Sequence, residues 1–286
     1  MSHSPQRTVL VTGCTSGIGH ATALRLHQAG WLVYATGRRP DALESLAKAG
    51  CRTLPLDVQD DGSMQAAVER ILREAGHIDA LVNNAGYSQS GPVELVTMPQ
   101  VRAQFETNVF GLLRLTQLVL PGMRARRQGR IVNIGSMGGR LTFPGGGVYH
   151  ATKHALEALT DALRYEVAGF GIHVVLVQPG LIRTAFSTAA SSSLEGMTSA
   201  GPYGAFTGEV ERITRESYEK GSLAPLVGSP EDVATVVEEA LTSYEPKSRY
   251  RVTWSATLLM TLRALMTDGM WDRFLARTYP RPGARS

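Results

Sequence analysis

Short apolar segments alternate with longer helical segments through the first two-thirds of this 286-residue chain. Six segments rich in Val, Ile and Leu are predicted strands: Thr8–Val11, Trp31–Ala35, Arg52–Leu56, Ile78–Val82, Arg130–Ile134 and Ile172–Val177. Their lack of polar alternation is typical of strands buried on both faces. Helices are predicted at Gly19–Ala29, Ser63–Glu74, Pro99–Met123 and Tyr149–Gly169. The alternation predicts right-handed βαβ crossovers and an α/β fold, a single-domain doubly wound parallel sheet of the Rossmann-like type.

The pattern changes after residue 184. Residues 185–226 are rich in Ser, Thr, Gly and Ala and show no regular pattern, which is typical of a lid or binding segment. Ser229-Pro230-Glu231-Asp232 predicts a helix start, and Arg249–Thr253 predicts a last strand. We therefore expect residues 1–253 to form the Rossmann-like domain, with the lid inside it, and residues 254–286 to form a C-terminal helical extension.

Composition narrows the functional class. A hydrophobic content of 43% and a net charge of +4 fit a soluble globular protein with a mild basic excess. The densest basic run, at residues 124–130, contains no aromatic residue for base stacking, so nucleic-acid binding is not expected. Cys14 and Cys51 form neither a metal spacing nor a disulfide framework. The polar N-terminus does not have the pattern of a signal peptide, and a cytoplasmic location is expected.

A glycine-rich turn follows the first predicted strand. Gly13, Gly17 and Gly19 stand in a Gly-x-x-x-Gly-x-Gly spacing, and a helix is predicted to begin near them. Such a turn lets the backbone approach a pyrophosphate at a helix N-terminus. The spacing differs from the commonest dinucleotide fingerprint, and an ordinary strand–helix turn is the alternative.

The second predicted strand is followed by arginines. No carboxylate follows Gly37 directly, where an acid would bind the ribose hydroxyls of NAD; Arg38 and Arg39 stand there instead. An arginine can bind the 2′-phosphate of NADP through charge-assisted hydrogen bonds. Arg38 is the expected contact, whereas Arg39 is either a second contact or a solvated neighbour. We interpret Asp41 as an acid at the start of the next helix. The sequence therefore favours NADP(H) over NAD(H).

Tyr149 and Lys153 are four residues apart on one predicted helix, so they share a face. A free phenol has a pKa of about 10, and a neighbouring cation lowers it towards a value useful in acid–base catalysis. Alone, the pair could equally be a solvated helix pair.

Together these motifs resemble the short-chain dehydrogenase/reductase family. The resemblance rests on segments in family order: Thr12-Gly13-x-x-x-Gly17-Ile18-Gly19, Asp57-Val58, Asn83-Asn84-Ala85-Gly86, Asn108, Ser136, Tyr149-x-x-x-Lys153 and Pro179-Gly180. It covers about residues 8–185.

The resemblance implies an enzyme with a catalytic set of Asn108, Ser136, Tyr149 and Lys153. Tyr149 would donate the proton to a carbonyl oxygen, Ser136 would bond the same oxygen, and Lys153 would lower the pKa of Tyr149 and hold the nicotinamide ribose. Asn108 would fix a water that relays protons to Lys153. The expected cofactor contacts are Gly13, Thr15, Ser16, Gly17, Ile18, Gly19, Arg38, Arg39, Asp57, Val58, Asn84, Ala85, Gly86, Tyr149, Lys153, Pro179, Gly180, Ile182 and Thr184.

The sequence motifs of two other enzyme classes, zinc metalloproteases and serine hydrolases, are incomplete in this chain. His150 and His154 have the spacing of a zinc pair, but Ala151 stands where the catalytic glutamate would be, so no metal site is expected. Ile134 replaces the glycine that a hydrolase elbow needs before Ser136.

Residues near the active helix are mostly apolar and favour a lipophilic carbonyl or alcohol substrate. The expected substrate contacts are Ser136, Leu141, Phe143, Val148, Tyr149, Leu181 and Phe186, with Tyr203 and Phe206 from the lid. Within the family, Ala35-Thr36-Gly37-Arg38 and residues 180–184 resemble the hydroxysteroid and retinol dehydrogenases and bacterial aldehyde reductases. The resemblance implies a homodimer or homotetramer. The apolar tail Trp254–Leu275 would cover the pocket, join subunits or touch a membrane surface.

The leading hypothesis is an NADP-dependent carbonyl reductase. The alternatives are a cofactor-binding sensor without turnover and an NAD-linked alcohol dehydrogenase with the same residues.

Overall fold

A seven-stranded parallel sheet forms the centre of the protein. The computed structural model describes residues 6–184, 193–194, 201–219 and 226–283. Its strands are β1 (Thr8–Val11), β2 (Leu32–Gly37), β3 (Arg52–Pro55), β4 (Ala80–Asn83), β5 (Gly129–Ile134), β6 (Ile172–Gln178) and β7 (Arg249–Arg251). They lie in the order β3-β2-β1-β4-β5-β6-β7, and neighbours pair in parallel. The predicted doubly wound fold is confirmed, with strand ends within about two residues of those expected.

Both faces of the sheet are buried. In β1, Val9 and Val11 belong to one apolar core and Leu10 to the core on the opposite face, and none of the three is exposed. This follows from the alternation of side chains along a strand. Because β1 lies between β2 and β4, the strand order reverses there, and a crevice opens at the carboxyl ends of these strands.

Helices cover the two faces. They are α1 (Gly17–Gln28), α2 (Glu44–Lys48), α3 (Asp61–Ala75), α4 (Met98–Phe105), α5 (Gly111–Arg126), α6 (Gly147–Ala168), α7 (Gly204–Glu219), α8 (Pro230–Thr242), α9 (Trp254–Leu265) and α10 (Asp268–Leu275). Residues of α1 and α8 pack in one core, and residues of α3 and α5 pack in the other. The helix predicted at Pro99–Met123 is continuous but contains a π-helical turn at Glu106–Phe110, which joins α4 to α5.

The predicted irregular segment 185–226 contains a helix. Residues 204–219 form α7, so the expectation of no regular structure is wrong for this stretch. Phe206 and Val210 are spaced four apart and are buried on one face of it, while Arg212 forms ion pairs with Glu209 and Glu216. The four-residue spacing of these apolar side chains is too short to be recognised among the surrounding Ser, Gly and Ala residues.

The helix start predicted at Ser229 is confirmed. The Ser229 hydroxyl accepts from the Asp232 amide at 3.2 Å, and the Asp232 carboxylate accepts from the Ser229 amide at 2.8 Å. This reciprocal capping satisfies two backbone donors at the start of α8.

The apolar tail folds as two short helices, α9 and α10. Trp271 is buried in a cluster with Leu181, Leu259 and Met260, so the tail packs against the carboxyl end of the sheet. None of the described helices has the length and apolar character needed to cross a membrane.

Candidate active site

The glycine-rich turn after β1 is held against the end of β4. The Thr12 hydroxyl accepts from the amides of Asn84 and Ala85, both at 3.0 Å, while the Asn84 side chain donates to the carbonyls of Thr12 and Gly13. Gly13 has φ +69°, and an added Cβ would lie 2.8 Å from the Ala85 backbone. The two loops therefore close on each other only because residue 13 has no side chain.

The same turn presents the start of α1 to the crevice. The first turn of this helix carries no acidic residue, so its amides favour an anion. A Cβ at Gly19 would overlap the Gly13 carbonyl. Because glycine has no Cβ, the start of α1 can lie directly behind the turn. This arrangement fits the pyrophosphate of a dinucleotide.

A cavity of about 1430 Å³ extends from this turn across the carboxyl ends of the strands. All the predicted cofactor residues except Gly19 line it. Gly19 lies behind the turn, where an added Cβ would meet the Gly13 carbonyl and the Asn84 side chain. Gln59, Tyr87 and Thr107 also line the cavity and were not predicted.

Arginines stand at the β2 end of the cavity. Arg38 and Arg39 are exposed and line it. Burial raises the pKa of Tyr87, and the positive charge of Arg38 opposes this rise. Asp41 lies in the first turn of the short 3₁₀ segment Asp41–Leu43, where the sequence placed it. This end of the cavity is suited to an anionic group.

Ser136 and Tyr149 are hydrogen-bonded to each other in the wall of the cavity. Ser136 follows β5 and caps a 3₁₀ turn, and its hydroxyl oxygen accepts from the Gly138 amide at 3.0 Å. A hydrogen bond joins its side chain to that of Tyr149 on α6. Both residues line the cavity, together with Lys153. The structure therefore brings these three predicted residues together.

Lys153 lies one turn after Tyr149. Its Nζ donates to the Ile134 carbonyl at 2.8 Å and lies 5.8 Å from the centre of the Tyr149 ring. The side chain is almost wholly buried, which lowers the pKa of Lys153 to about 8. The amine is therefore tied to the end of β5 beside the phenol.

Burial controls the acidity of Tyr149. It raises the pKa of this phenol above its ordinary value, the hydrogen bond from Ser136 opposes the rise, and nearby Tyr218 adds to it. The desolvation of the phenol outweighs the influence of these two neighbours. Tyr149 is accordingly protonated at neutral pH, in the form that can donate a proton.

Asn108 occupies the π-helical turn behind the active helix. Its Nδ2 donates to the Tyr87 carbonyl at 3.0 Å and to the Thr152 hydroxyl at 3.1 Å, and its Oδ1 accepts from the Tyr87 amide at 3.2 Å. It thus joins the loop after β4 to α6, and does not cap its own helix. Both amide hydrogens are used, so a water would bind to the remaining acceptor capacity of Oδ1 or to the backbone of the π turn.

Two of the apolar residues expected to contact substrate line the cavity, and two others lie behind its wall. Phe143 and Leu181 line it, but Leu141 and Val148 do not. Leu141 is 1% exposed and packs in the cluster with Trp271, and Val148 is also buried, so both lie behind the wall. Phe186 lies outside the described residues.

Two lid residues also lie away from the cavity wall. Tyr203 donates to Glu94 at 2.6 Å, and Phe206 packs with Leu194 and Val210. The sequence allowed the tail to cover the pocket but did not single out the residues of α7 and the tail that line the cavity, which include Tyr218, Leu259, Leu262, Phe274, Leu275 and Tyr279. Their helical spacing was visible, but the sequence did not indicate which face meets the cavity.

Both histidines lie on α6, the helix that carries Tyr149 and Lys153. His150 lines the cavity, whereas His154 is exposed and bonds the His150 carbonyl through Nδ1 at 2.9 Å. No cluster of metal-binding side chains occurs within the ranges that the structure describes.

Comparisons with known proteins agree with this geometry. The family model for short chain dehydrogenases matches residues 7–195. The uncharacterized oxidoreductase YbbO of Escherichia coli K12 is 34% identical over 271 residues, with 94% of each chain covered. Human retinol dehydrogenase 5 is 35% identical over 292 residues, covering 96% of this chain and 89% of that one.

A solved structure is also similar. The closed form of a serine dehydrogenase complexed with NADP⁺ superposes with a TM-score of 0.74 at 30% identity, covering 86% of this chain and 94% of that one. With the parallel sheet, the glycine-rich turn and the Ser–Tyr–Lys arrangement, these matches show that the chain is an oxidoreductase of the short-chain dehydrogenase/reductase family, whose members use NAD(P).

Proposed function

We propose that this protein is an NADP(H)-dependent oxidoreductase that transfers hydride between nicotinamide and a lipophilic carbonyl or alcohol, and that it acts as an aldehyde or ketone reductase. One observation carries the proposal. The Tyr149 hydroxyl is bonded to Ser136, with Lys153 one helical turn away, in the wall of the cavity that also contains the glycine-rich turn.

Tyr149 is the proposed proton donor. Burial keeps its phenol protonated, so it can transfer the proton to a carbonyl oxygen. The Gly138 amide donates to the Ser136 hydroxyl oxygen. The hydroxyl hydrogen of Ser136 therefore remains available for the Tyr149 oxygen or for a substrate oxygen beside it. Ser136 would therefore stabilise the negative charge that grows on the substrate oxygen.

Lys153 is proposed to restore that proton and to hold the cofactor ribose. One of its hydrogens bonds the Ile134 carbonyl, and the others remain for a ribose hydroxyl or a water. A pKa of about 8 lets the amine exchange protons near neutral pH. When bound, the nicotinamide supplies or receives the hydride.

The preference for NADP(H) is proposed from the two exposed arginines at the end of β2. A 2′-phosphate placed there would meet two guanidinium groups, with Arg38 as the main contact. The serine dehydrogenase of similar fold was solved with NADP⁺, which supports the proposal.

The substrate class follows from the apolar end of the cavity. Phe143, Leu181, Leu259, Leu262 and Phe274 offer hydrocarbon surface to a ligand. Similarity to human retinol dehydrogenase 5 supports a lipophilic substrate and favours the second candidate, an alcohol dehydrogenase that uses the same residues in the oxidative direction.

The tail and the lid are proposed to enclose this substrate. We propose residues 1–253 as the catalytic unit, with residues 185–226 as its lid, and residues 254–286 as an extension whose two helices complete the apolar wall. The exposed side chains of Trp254, Leu258 and Leu265 are available for a membrane surface.

A homodimer or homotetramer is proposed through the helix 98–126 and α6. Phe110 is 50% exposed and Tyr165 is 89% exposed on these helices, and single large apolar side chains of this kind are suited to a subunit contact.

The direct test is NADPH oxidation, followed at 340 nm, with aliphatic, aromatic and retinoid aldehydes and with ketones of matched chain length. Consumption of NADPH with at least one lipophilic carbonyl is expected. Tight NADPH binding without turnover of any substrate would instead indicate a cofactor sensor, and turnover only of alcohols with NAD⁺ would favour the alternative dehydrogenase.

A further inference from the structure

His150 is a buried polar side chain beside the proposed proton donor. It is 9% exposed and lines the same cavity. Its ring centre lies 5.5 Å from that of Tyr149 and 6.1 Å from that of Phe143. The proposed chemistry gives this imidazole no role.

The contacts of His150 determine its tautomer. Nδ1 lies 3.1 Å from the Gly138 carbonyl, which can only accept, so Nδ1 carries the hydrogen. Burial lowers the pKa of His150 to about 4, and nearby His154 acts in the same direction, so the ring is neutral at pH 7. A neutral imidazole protonated on Nδ1 presents a bare lone pair on Nε2.

No described group donates to this lone pair. Nδ1 makes the hydrogen bond to Gly138, and within the described residues no donor is hydrogen-bonded to Nε2. Nε2 is not among the buried side-chain atoms that lack a partner, so it is accessible from the cavity. Nε2 lies beside Gly146, where an added Cβ would be 2.7 Å away. Gly146 also lines the cavity, so the absence of a side chain at this position leaves the acceptor uncovered.

A second polar group faces the same region. Tyr218 of α7 lines the cavity and is close enough to Tyr149 to influence its pKa. Burial raises the pKa of Tyr218 to about 12, so it is a neutral phenol able to donate or accept. Besides Ser136 and Tyr149, the wall near the Tyr149 hydroxyl thus contains two further polar groups, the Nε2 acceptor of His150 and the phenol of Tyr218.

We propose that Nε2 of His150 accepts a hydrogen bond from a hydroxyl group of the substrate, and that the natural substrate is a lipophilic ketone or aldehyde with a hydroxyl a few bonds from its carbonyl. This inference rests on the proposed function. The Nε2 lone pair is open to the cavity beside Gly146, so a hydroxyl group of a bound substrate can donate to it. A neutral hydroxyl also suits a mostly apolar cavity better than a charged group does.

A purely structural histidine would also bond Gly138 through Nδ1, and two variants separate these roles. His150→Phe keeps a ring of similar size but removes both nitrogens. Gly146→Ala keeps both ring nitrogens but would place a methyl group 2.7 Å from Nε2, which blocks the lone pair or displaces the ring; residue 146 has φ −113°, which alanine adopts without backbone strain. His154→Phe, on the exposed face of the same helix, is the matched control.

The experiment compares two ketones of equal chain length, one with a β-hydroxyl and one without. We expect wild-type kcat/KM with NADPH to be about tenfold higher for the hydroxyketone. His150→Phe and Gly146→Ala should bring this ratio close to one, and His154→Phe should keep it. Equal values for the two ketones in the wild type, or an unchanged ratio in both variants, would overturn the inference. In either case turnover of both ketones would leave the proposed function intact.

A binding measurement decides the case in which neither ketone is reduced. Protein with ¹⁵N-labelled histidine is titrated with the diol and the simple alcohol that correspond to the two ketones. The diol should shift the Nε2 resonance of His150 in the direction of an accepted hydrogen bond, and the simple alcohol should not. No difference between the two ligands would contradict the inference on its own, while failure of turnover alone would count only against the proposed function.

Discussion

Replacing Lys153 with methionine should stabilise the protein at neutral pH while it removes the proposed catalytic amine. The side chain is 8% exposed, and burial lowers the pKa of its amine from 10.5 to about 8. At 1.36 kcal/mol per tenfold change in acidity, keeping the proton in the folded state costs roughly 3 kcal/mol. Methionine fills a similar volume without a charge, but it loses the hydrogen bond to the Ile134 carbonyl, which is worth about 1 kcal/mol. The expected net gain at pH 7 is about 2 kcal/mol.

The stability that Lys153→Met gains over the wild type should decrease as pH rises. Below pH 8 the amine is protonated in both states, so the folded wild type carries the full cost. Between pH 8 and pH 10.5 the folded protein releases the proton while the unfolded chain keeps it, and wild-type stability therefore rises with pH. Above pH 10.5 the cost is gone, and Lys153→Met should be about 1 kcal/mol less stable because the hydrogen bond is still missing.

Urea denaturation of both proteins at pH 7, 9 and 10.5 measures this difference. Lys48→Met is the control, because Lys48 is exposed in a surface pair with Glu44 and its replacement should change stability by less than about 0.5 kcal/mol. A Lys153→Met protein that is less stable than wild type at pH 7, or a gain that does not shrink as pH rises, would refute the conclusion that burial destabilises the ammonium.

Other substitutions test the cofactor site. Arg38→Ala should weaken NADPH binding by about tenfold or more and leave NADH binding nearly unchanged, because only NADPH carries the 2′-phosphate. Fluorescence titration measures the affinity for each cofactor. Equal affinities of the wild type for NADPH and NADH would contradict the NADP assignment. Gly19→Ala should abolish binding of either cofactor, since its Cβ would overlap the Gly13 carbonyl. Gly208→Ala, where an added Cβ meets nothing within 4 Å, should bind normally, and a Gly19→Ala protein that matches it would show that the close packing of the turn is not required. Ser136→Ala should lower kcat by about 100-fold with little change in NADPH affinity, and a near-normal kcat would remove Ser136 from the mechanism.

Residue periodicity was enough to predict the sheet. The strands are buried on both faces, so each appears as an unbroken apolar run. Spacing placed Tyr149 and Lys153 on one helix face, whereas the resemblance to the family was needed to join Gly13 and Ser136 to them. The parallel order then follows, because helical crossovers connect successive strands.

Three features could not be predicted in this way, for different physical reasons. The π turn at Glu106–Phe110 adds one residue to a helical turn without changing the apolar pattern enough to be recognised. Val148 directly precedes Tyr149 and therefore points about 100° away from it around α6, and Leu141 is covered by the tail, which is distant in sequence. The pKa values of Tyr149 and His150 depend mainly on burial, and the sequence does not state how completely each is covered.

The most direct test of the account is the turnover number of Tyr149→Phe, measured with saturating NADPH and the best carbonyl substrate of the wild type. The substitution removes only the hydroxyl, so NADPH should still bind with near wild-type affinity while kcat falls by at least about 100-fold. A kcat within a few-fold of wild type would show that the proton comes from elsewhere and would contradict the role assigned to Tyr149.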